Sequence, residues 1–289
     1  MLKTLAALLQ GLRLKQAIKN TFLFAGLIFS ERLFHYPDNL QVLAGFGLFC
    51  LISWAVYLFN DIQDRELDRL HPVKRFRPVA SGRLSVPAAA VASALLGSGG
   101  LVGAALLSRE FGLTCLVYAG LNLAYSRILK NVILLDIMTV SAGFFLRVIA
   151  GTQIIHVAVS HWLLVCGIFL SLFLGFCKRR AELQSSDSAS RPILREYNLQ
   201  FLDQLIAALT AATILSYILY TISPETVAKF GTDDLLLTSP FVLYGIFRYL
   251  FLIYVRSRGE DTALELFTDL PMLLAGAGWL AATAIVIYL

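Results

Sequence analysis

Asn60, Asp61, Asp64 and Asp68 are spaced so that a helix gathers them onto one side. With Asn60 as origin, Asp64 falls at about 40°, Asp68 at about 80° and Asp61 at about 100°, whereas Glu66 falls at about 240°. Three carboxylates on one face repel one another unless a counter-charge is present, and a bound cation supplies it. Every donor on this arc is an oxygen, with no His or Cys among them. Such a set selects a hard cation, and Mg²⁺ is favoured because it keeps several waters and shares its coordination with substrate phosphates. The chemistry is a grip on a diphosphate, with neutralisation of the charge that develops as diphosphate leaves. A plainer reading is a solvated helix end, with Arg65 and Arg69 pairing the aspartates. An apolar run before the motif and a basic loop after it favour the metal.

That basic loop runs His71-Pro72-Val73-Lys74-Arg75-Phe76-Arg77-Pro78 and on to Arg83. Pro72 and Pro78 end helical structure, and between them Lys74, Arg75 and Arg77 are presented on a short constrained segment. Arginine binds phosphate oxygens in pairs and lysine acts as a point charge. Carboxylates for a metal followed by cations for phosphate make a coherent polyphosphate site; the rival role for the loop is to fix topology against anionic headgroups.

A third group combines Tyr125 and Lys130 with Asp136 and Arg147, the last two inside an apolar run. Ionisable residues in such runs are rare and usually functional. Asp136, Val140, Gly143, Arg147 and Gly151 share an arc of about 80°, a stripe suited to line a cavity. Asp136 and Arg147 are about 16 Å apart along a helix and cannot pair, so each needs another partner. Lys178-Arg179-Arg180-Ala181-Glu182 closes a later apolar run, and Asp261, Glu265 and Asp269 recur every four residues on a predicted helix face. His156 and His161 receive no chemistry. Cys50, Cys115, Cys166 and Cys177 stand singly, with no metal or redox spacing, and read as small core residues.

The elements that must hold these groups are membrane helices. Of 289 residues, 58% are hydrophobic and 15% charged, against about a quarter charged in a soluble domain. Nine stretches approach the length of about 20 apolar residues that a spanning helix needs, near 17–34, 40–60, 86–107, 111–127, 132–155, 160–177, 200–222, 239–256 and 270–289. The third and fourth form a tight hairpin. With the N-terminus in the cytoplasm, nearly all Lys and Arg fall in cytoplasmic connections, and the outer ones hold only Arg32, Arg109 and Lys229, as the positive-inside rule requires. The net charge of +5 reflects that bias rather than nucleic-acid binding. The fold class is therefore all-α: a polytopic bundle of about nine transmembrane helices around a central cavity opening to the cytoplasm, with residues 1–289 forming one domain. Residues 1–19 have no cleavable signal pattern. Long cytoplasmic connections follow the second and sixth spans, a hint of two related halves.

Asn60-Asp61-x-x-Asp64-x-x-x-Asp68 at the end of the second of nine spans resembles the UbiA superfamily of intramembrane prenyltransferases, along essentially the whole chain. Members bind a prenyl diphosphate through Mg²⁺ on two Asp-rich motifs. Here the second motif is reduced to Asp136, with Tyr125, Lys130 and Arg147 around it. The strings His71-Pro-x-Lys-Arg-x-Arg-Pro-x-Ala-x-Gly82, Tyr125-Ser-x-x-Leu-Lys130, Gly143-Phe-x-Leu-Arg147 and Lys178-Arg-x-Ala-Glu182 resemble a narrower branch, the decaprenyl-phosphate phosphoribosyltransferases. Arg13-x-Lys-Gln-x-x-Lys-Asn20 fits as well, although Leu14 stands where proline is common.

The resemblance implies a water-soluble donor, phosphoribosyl diphosphate, and a lipid acceptor, a polyprenyl phosphate of decaprenyl type. It implies Asp61, Asp64 and Asp68 as metal ligands and, with Asp136, as catalytic residues. Substrate contacts would come from Asn60, Lys19, Lys74, Arg75, Arg77, Tyr125, Lys130, Arg147 and Lys178. The implied setting is the plasma membrane of a bacterium, with the site facing the cytoplasm, no nucleic-acid partner, and a homo-oligomer left open. Two alternatives stand beside it. One is prenyl transfer from a prenyl diphosphate to an aromatic or lipid-soluble acceptor. The other is a transporter, disfavoured because the carboxylates sit at one membrane face rather than near the midplane.

Overall fold

The structure, a computed structural model, describes residues 2–158, 161–184, 192–256 and 268–288, and every regular element in them is helical. The chain divides into two compact units, Met1–Val159 and Ser160–Leu289. The first holds α1 (Leu2–Gly11), a 3-10 segment (Leu14–Phe24), α2 (Ala25–Phe29), α3 (Asp38–Gln63), α4 (Arg65–Leu70), α5 (Val86–Leu107), α6 (Arg109–Arg127) and α7 (Leu135–Ile154). The second holds α8 (His161–Gln184), α9 (Leu199–Ile222), α10 (Pro224–Phe230), α11 (Ser239–Tyr254) and α12 (Leu270–Tyr288).

Among the described residues, six helical segments are long and apolar enough to cross a bilayer: α3, α5, α7, α9, Asp234–Tyr254 (which contains α11) and α12. Polar caps set their ends where the sequence supplies them. Ser85 accepts from Ala88 N–H at the start of α5, and Asn198 accepts from Phe201 N–H, 2.8 Å away, at the start of α9. Such caps satisfy amides that have no partner inside the helix. Val91, Leu95, Val102 and Leu106 of α5 are exposed, the outward apolar face expected of a helix solvated by lipid tails.

The stretch predicted as a first span, 17–34, is not a single long helix. It is the 3-10 segment followed by five residues of α2. Its first half is polar (Lys15, Gln16, Lys19, Asn20, Thr21), and buried Asn20 is spent on tertiary hydrogen bonds to Ser53 and Arg147. The segment lies flush on α7: a Cβ on Gly151 would come within 1.9 Å of the Leu23 carbonyl oxygen, and one on Gly26 within 3.0 Å of the Thr152 methyl. The stripe expected to line a cavity is packed instead. Gly151 meets Leu23, and Gly143 lies under the Arg147 guanidinium. Val140 points outward.

The core of the first unit runs through Leu23, Leu27, Val42, Phe49, Ile52, Phe111, Tyr118, Ala150 and Ile154. Helices α5 and α6 turn back on each other at Ser108 alone, and Gly112 permits the turn because a Cβ there would meet Ala105 at 2.7 Å. Since α3, α5, α6 and α7 reverse in sequence, the ends of α3 and α6 lie at the same end of the unit as the starts of α5 and α7. That end carries the site. Replacing Gly151 by Ala is expected to destabilise the protein by about 3 kcal/mol, the upper range for overpacking. Gly120→Ala, where nothing lies within 4 Å, is expected to cost nothing. Thermal unfolding of both variants in detergent checks this, and equal melting would refute the close approach.

Candidate active site

The acidic motif does not lie on one unbroken helix. Helix α3 ends at Gln63, Asp64 adopts φ −89 and ψ 2, and α4 begins at Arg65. The helical hydrogen bonds Asp64 N–H to Asn60 O (2.9 Å) and Asp68 N–H to Asp64 O (2.8 Å) survive the break. The register is therefore kept, and the acidic groups stay on one side.

A small apolar cluster fixes the basic loop beside them. Leu58 of α3 packs with Ala7, Leu12, Val79, Leu84 and Ala89, which joins α1, the loop and the start of α5. Within the loop, His71 Nδ1 accepts from Val73 N–H (3.1 Å) and Lys74 N–H (3.2 Å), and Gly82 takes a left-handed φ of 78° to turn the chain. Arg69 Nε donates to Ala80 O at 3.1 Å. Arg77 is thereby aimed at the carboxylates: its Nη1 lies 2.6 Å from Asp68 Oδ2 and 3.3 Å from Asp61 Oδ1.

Asp61 and Asp68 are buried, at 1% and 4% exposed. Asp61 also pairs with Arg13, which sits in a left-handed turn between α1 and the 3-10 segment and lies over the Tyr57 ring. Lys130 pairs with Asp64 Oδ1, while Asn60 Nδ2 donates to Asp64 Oδ2 at 2.9 Å. Ser126, in the last turn of α6, donates to Asn60 Oδ1 at 3.0 Å. Three carboxylates thus meet three cations, Arg13, Arg77 and Lys130, carried by three separate segments. Asp61 Oδ2 is buried without a hydrogen-bond partner.

Of the other predicted residues, Asp136 is buried in the first turn of α7, just after Leu134, whose φ of 66° is a strained conformation for a branched side chain. Tyr125, Lys19 and Lys74 are half-buried. Arg75 is exposed and lies over the Phe76 ring, 4.9 Å from its centre. Arg147 is not among the groups that meet the aspartates. Buried at 4% exposed, it donates to Asn20 Oδ1 (2.8 Å), Gly143 O (2.7 Å) and Tyr118 Oη (2.9 Å). The rings of Phe49, Tyr118 and Phe144 surround it.

Lys178 belongs to the second unit and is exposed. Near it Arg179 pairs with Glu182, and Arg180 pairs with Asp203 and stacks over Tyr254. Asp261 and Glu265 lie outside the described residues. Asp269 is held bidentately by Arg248 at 3.0 and 2.8 Å and accepts from Met272 N–H at the start of α12, so its geometry is that of a helix cap. Sequence reasoning gave no role to Arg13, Asn20 or Ser126. Arg13 and Asp61 are 48 residues apart and Ser126 and Asn60 are 66 apart, distances that no local periodicity spans.

A family model, the UbiA prenyltransferase family, matches residues 21–268. The chain belongs to the UbiA prenyltransferase family. Two relatives carry the name decaprenyl-phosphate phosphoribosyltransferase. The one from Mycolicibacterium smegmatis is 34% identical over 79% of this chain and 74% of its own. The one from Mycobacterium tuberculosis is 31% identical over 96% and 92%. Among solved structures, a UbiA homolog from Archaeoglobus fulgidus bound to GPP and Mg²⁺ has a TM-score of 0.74 at 18% identity, covering 98% of this chain and 100% of that one. That likeness is one of fold. Together with the apolar helices, family membership makes this an integral membrane protein and a transferase.

In this UbiA-family chain, the three donors and three aromatic faces of Arg147 tie the 3-10 segment, α3, α6 and α7 together. Arg147→Lys keeps the charge but cannot make three directed hydrogen bonds. It is expected to lower stability by about 2 kcal/mol, read as a drop in the thermal midpoint in detergent. An unchanged midpoint with lost activity would return Arg147 to the substrate.

Proposed function

We propose that this protein transfers a 5-phosphoribosyl group from phosphoribosyl diphosphate to a polyprenyl phosphate of decaprenyl type, releasing diphosphate. The observation that carries the reading is the matched cluster of Asp61, Asp64 and Asp68 with Arg13, Arg77 and Lys130. It offers both signs of charge to a metal-bound polyphosphate. The relatives named for this reaction support it.

The residues fit Mg²⁺ by donor chemistry. All the acceptors are carboxylate oxygens, and Asp61 Oδ2 is buried with no hydrogen-bond partner, a costly state for an ionised group. Among the described residues, no three His, Cys, Asp or Glu side chains converge on one point. The carboxylates face the basic groups instead, so loading would require exchange of those partners. Asp61, Asp64 and Asp68 would be the ligands. Held there, a divalent cation would supply positive charge to offset that of the leaving diphosphate.

The chain's own residues do the rest. Arg13 and Arg77, displaced from the carboxylates, are placed to take up phosphate oxygens, and Lys74 and Arg75 extend the basic surface. Lys130 steadies the lipid phosphate, while Asp136 and Tyr125 orient ribose hydroxyls. Lys19 adds charge for the phosphates. The anomeric C–O bond to diphosphate breaks, its electron pair leaving with diphosphate, and an oxygen of the lipid phosphate forms the new bond. That oxygen is already anionic, so no general base is needed. The barrier falls through positioning and electrostatics. The reading places the enzyme in the plasma membrane of a bacterium with its site on the cytoplasmic side, where a water-soluble donor is available.

Purified protein should release diphosphate in a Mg²⁺-dependent manner from phosphoribosyl diphosphate with polyprenyl phosphate. Asp64→Ala should lower the rate about 100-fold or more. Release only from a prenyl diphosphate with an aromatic acceptor would refute this donor and assign the protein to prenyl transfer.

A further inference from the structure

We propose that Ser126 is a positioning residue for the metal-binding carboxylates and acts through Asn60, an inference that rests on the assignment of Asp61, Asp64 and Asp68 to Mg²⁺. Ser126 is buried at 3% exposed. Its Oγ donates to Asn60 Oδ1 at 3.0 Å, and Asn60 Nδ2 donates to Asp64 Oδ2 at 2.9 Å.

This relay has one consistent sense. An ionised carboxylate only accepts, so the Asn60 amide nitrogen faces Asp64. Its oxygen then faces Ser126, and the hydroxyl must donate. Asp64 Oδ2 is thereby occupied, and Oδ1 is the oxygen turned towards Lys130. A carboxylate with one oxygen fixed by an amide presents the other in a fixed direction, which is how outer hydrogen bonds orient metal ligands.

Ser126 stands in the last turn of a helix, where serine commonly bonds a carbonyl of its own chain four residues back. Here the hydroxyl crosses from α6 to α3 instead. Without it, Asn60 Oδ1 loses its donor in a half-buried site, the amide can rotate, and Asp64 loses its fixed orientation. The ends of α3 and α6 are thus joined by this hydroxyl as well as by the Lys130–Asp64 pair.

The test reads metal binding without turnover. Mn²⁺ stands in for Mg²⁺, and its free concentration is followed by electron paramagnetic resonance. The full chain in detergent is mixed with inorganic pyrophosphate, comparing wild type with Asp64→Asn, Ser126→Ala, Ser126→Cys and Ser126→Thr. Ser126→Ala is expected to weaken binding by about tenfold, the lower end for loss of an outer hydrogen bond to a metal ligand. Ser126→Thr, which keeps the hydroxyl, is expected to restore it. Ser126→Cys, isosteric with a weak donor, should fall between, and it carries the comparison if the alanine variant does not fold. Wild-type affinity in Ser126→Ala or Ser126→Cys alongside loss of binding in Asp64→Asn overturns the positioning role alone. A threonine variant as weak as alanine overturns it too, because packing would then be the cause. Undiminished binding in Asp64→Asn removes the metal assignment itself.

Discussion

Where α3 gives way to α4, Asp61 and Asp68 are buried and Asp64 half-buried, and three such carboxylates cannot remain ionised together without the compensation that the first unit supplies. Arg13 comes from the turn after α1, Arg77 from the loop after α4 and Lys130 from the segment after α6. Each cation arrives only because a separate packing arrangement delivers it. The Leu58 cluster fixes the loop, the Ser108 hairpin returns α6, and the left-handed turn at Arg13 redirects the chain. Buried ion pairs contribute little net stability, because desolvation offsets attraction. On the proposed function such a cluster is a poised binding site, whose charges are kept in balance until a polyanion and its metal exchange partners with them.

A second buried cation behaves differently. Among the described residues no carboxylate pairs with the Arg147 guanidinium, which is stabilised by dipoles and aromatic faces. Asn20 passes the network on to Ser53, which itself donates to Phe49 O at 2.9 Å. The contrast separates two uses of charge in one apolar unit. Where carboxylates and cations meet, the groups can trade partners. Where a cation is enclosed by carbonyl, hydroxyl and ring, it fastens helices.

The sequence made much of this legible. The apolar runs located the long helices, since period and length are local properties. The spacing of Asn60, Asp61, Asp64 and Asp68 identified one side of a helix end, and the register survived the break at Asp64. The polar first half of 17–34 reads as part of one long helix, whereas it is a 3-10 segment whose Asn20 is balanced by partners far along the chain, Ser53 and Arg147. Gly143 and Gly151 read as cavity lining, yet they serve close packing, a distinction that depends on what lies opposite. Arg13 and Ser126 stand in strings that carry the family resemblance, but nothing local gives them a role. Their significance comes from contacts 48 and 66 residues away, which only the fold creates.

The central claim is that the carboxylates exchange Arg13, Arg77 and Lys130 for a metal-bound diphosphate. Determining the structure by electron cryomicroscopy with Mg²⁺ and phosphoribosyl diphosphate tests it most directly. The expected result is Asp61, Asp64 and Asp68 turned onto the metal, with the three cations moved to phosphate oxygens. A donor bound elsewhere, with all three aspartates still paired to those cations, would contradict the account.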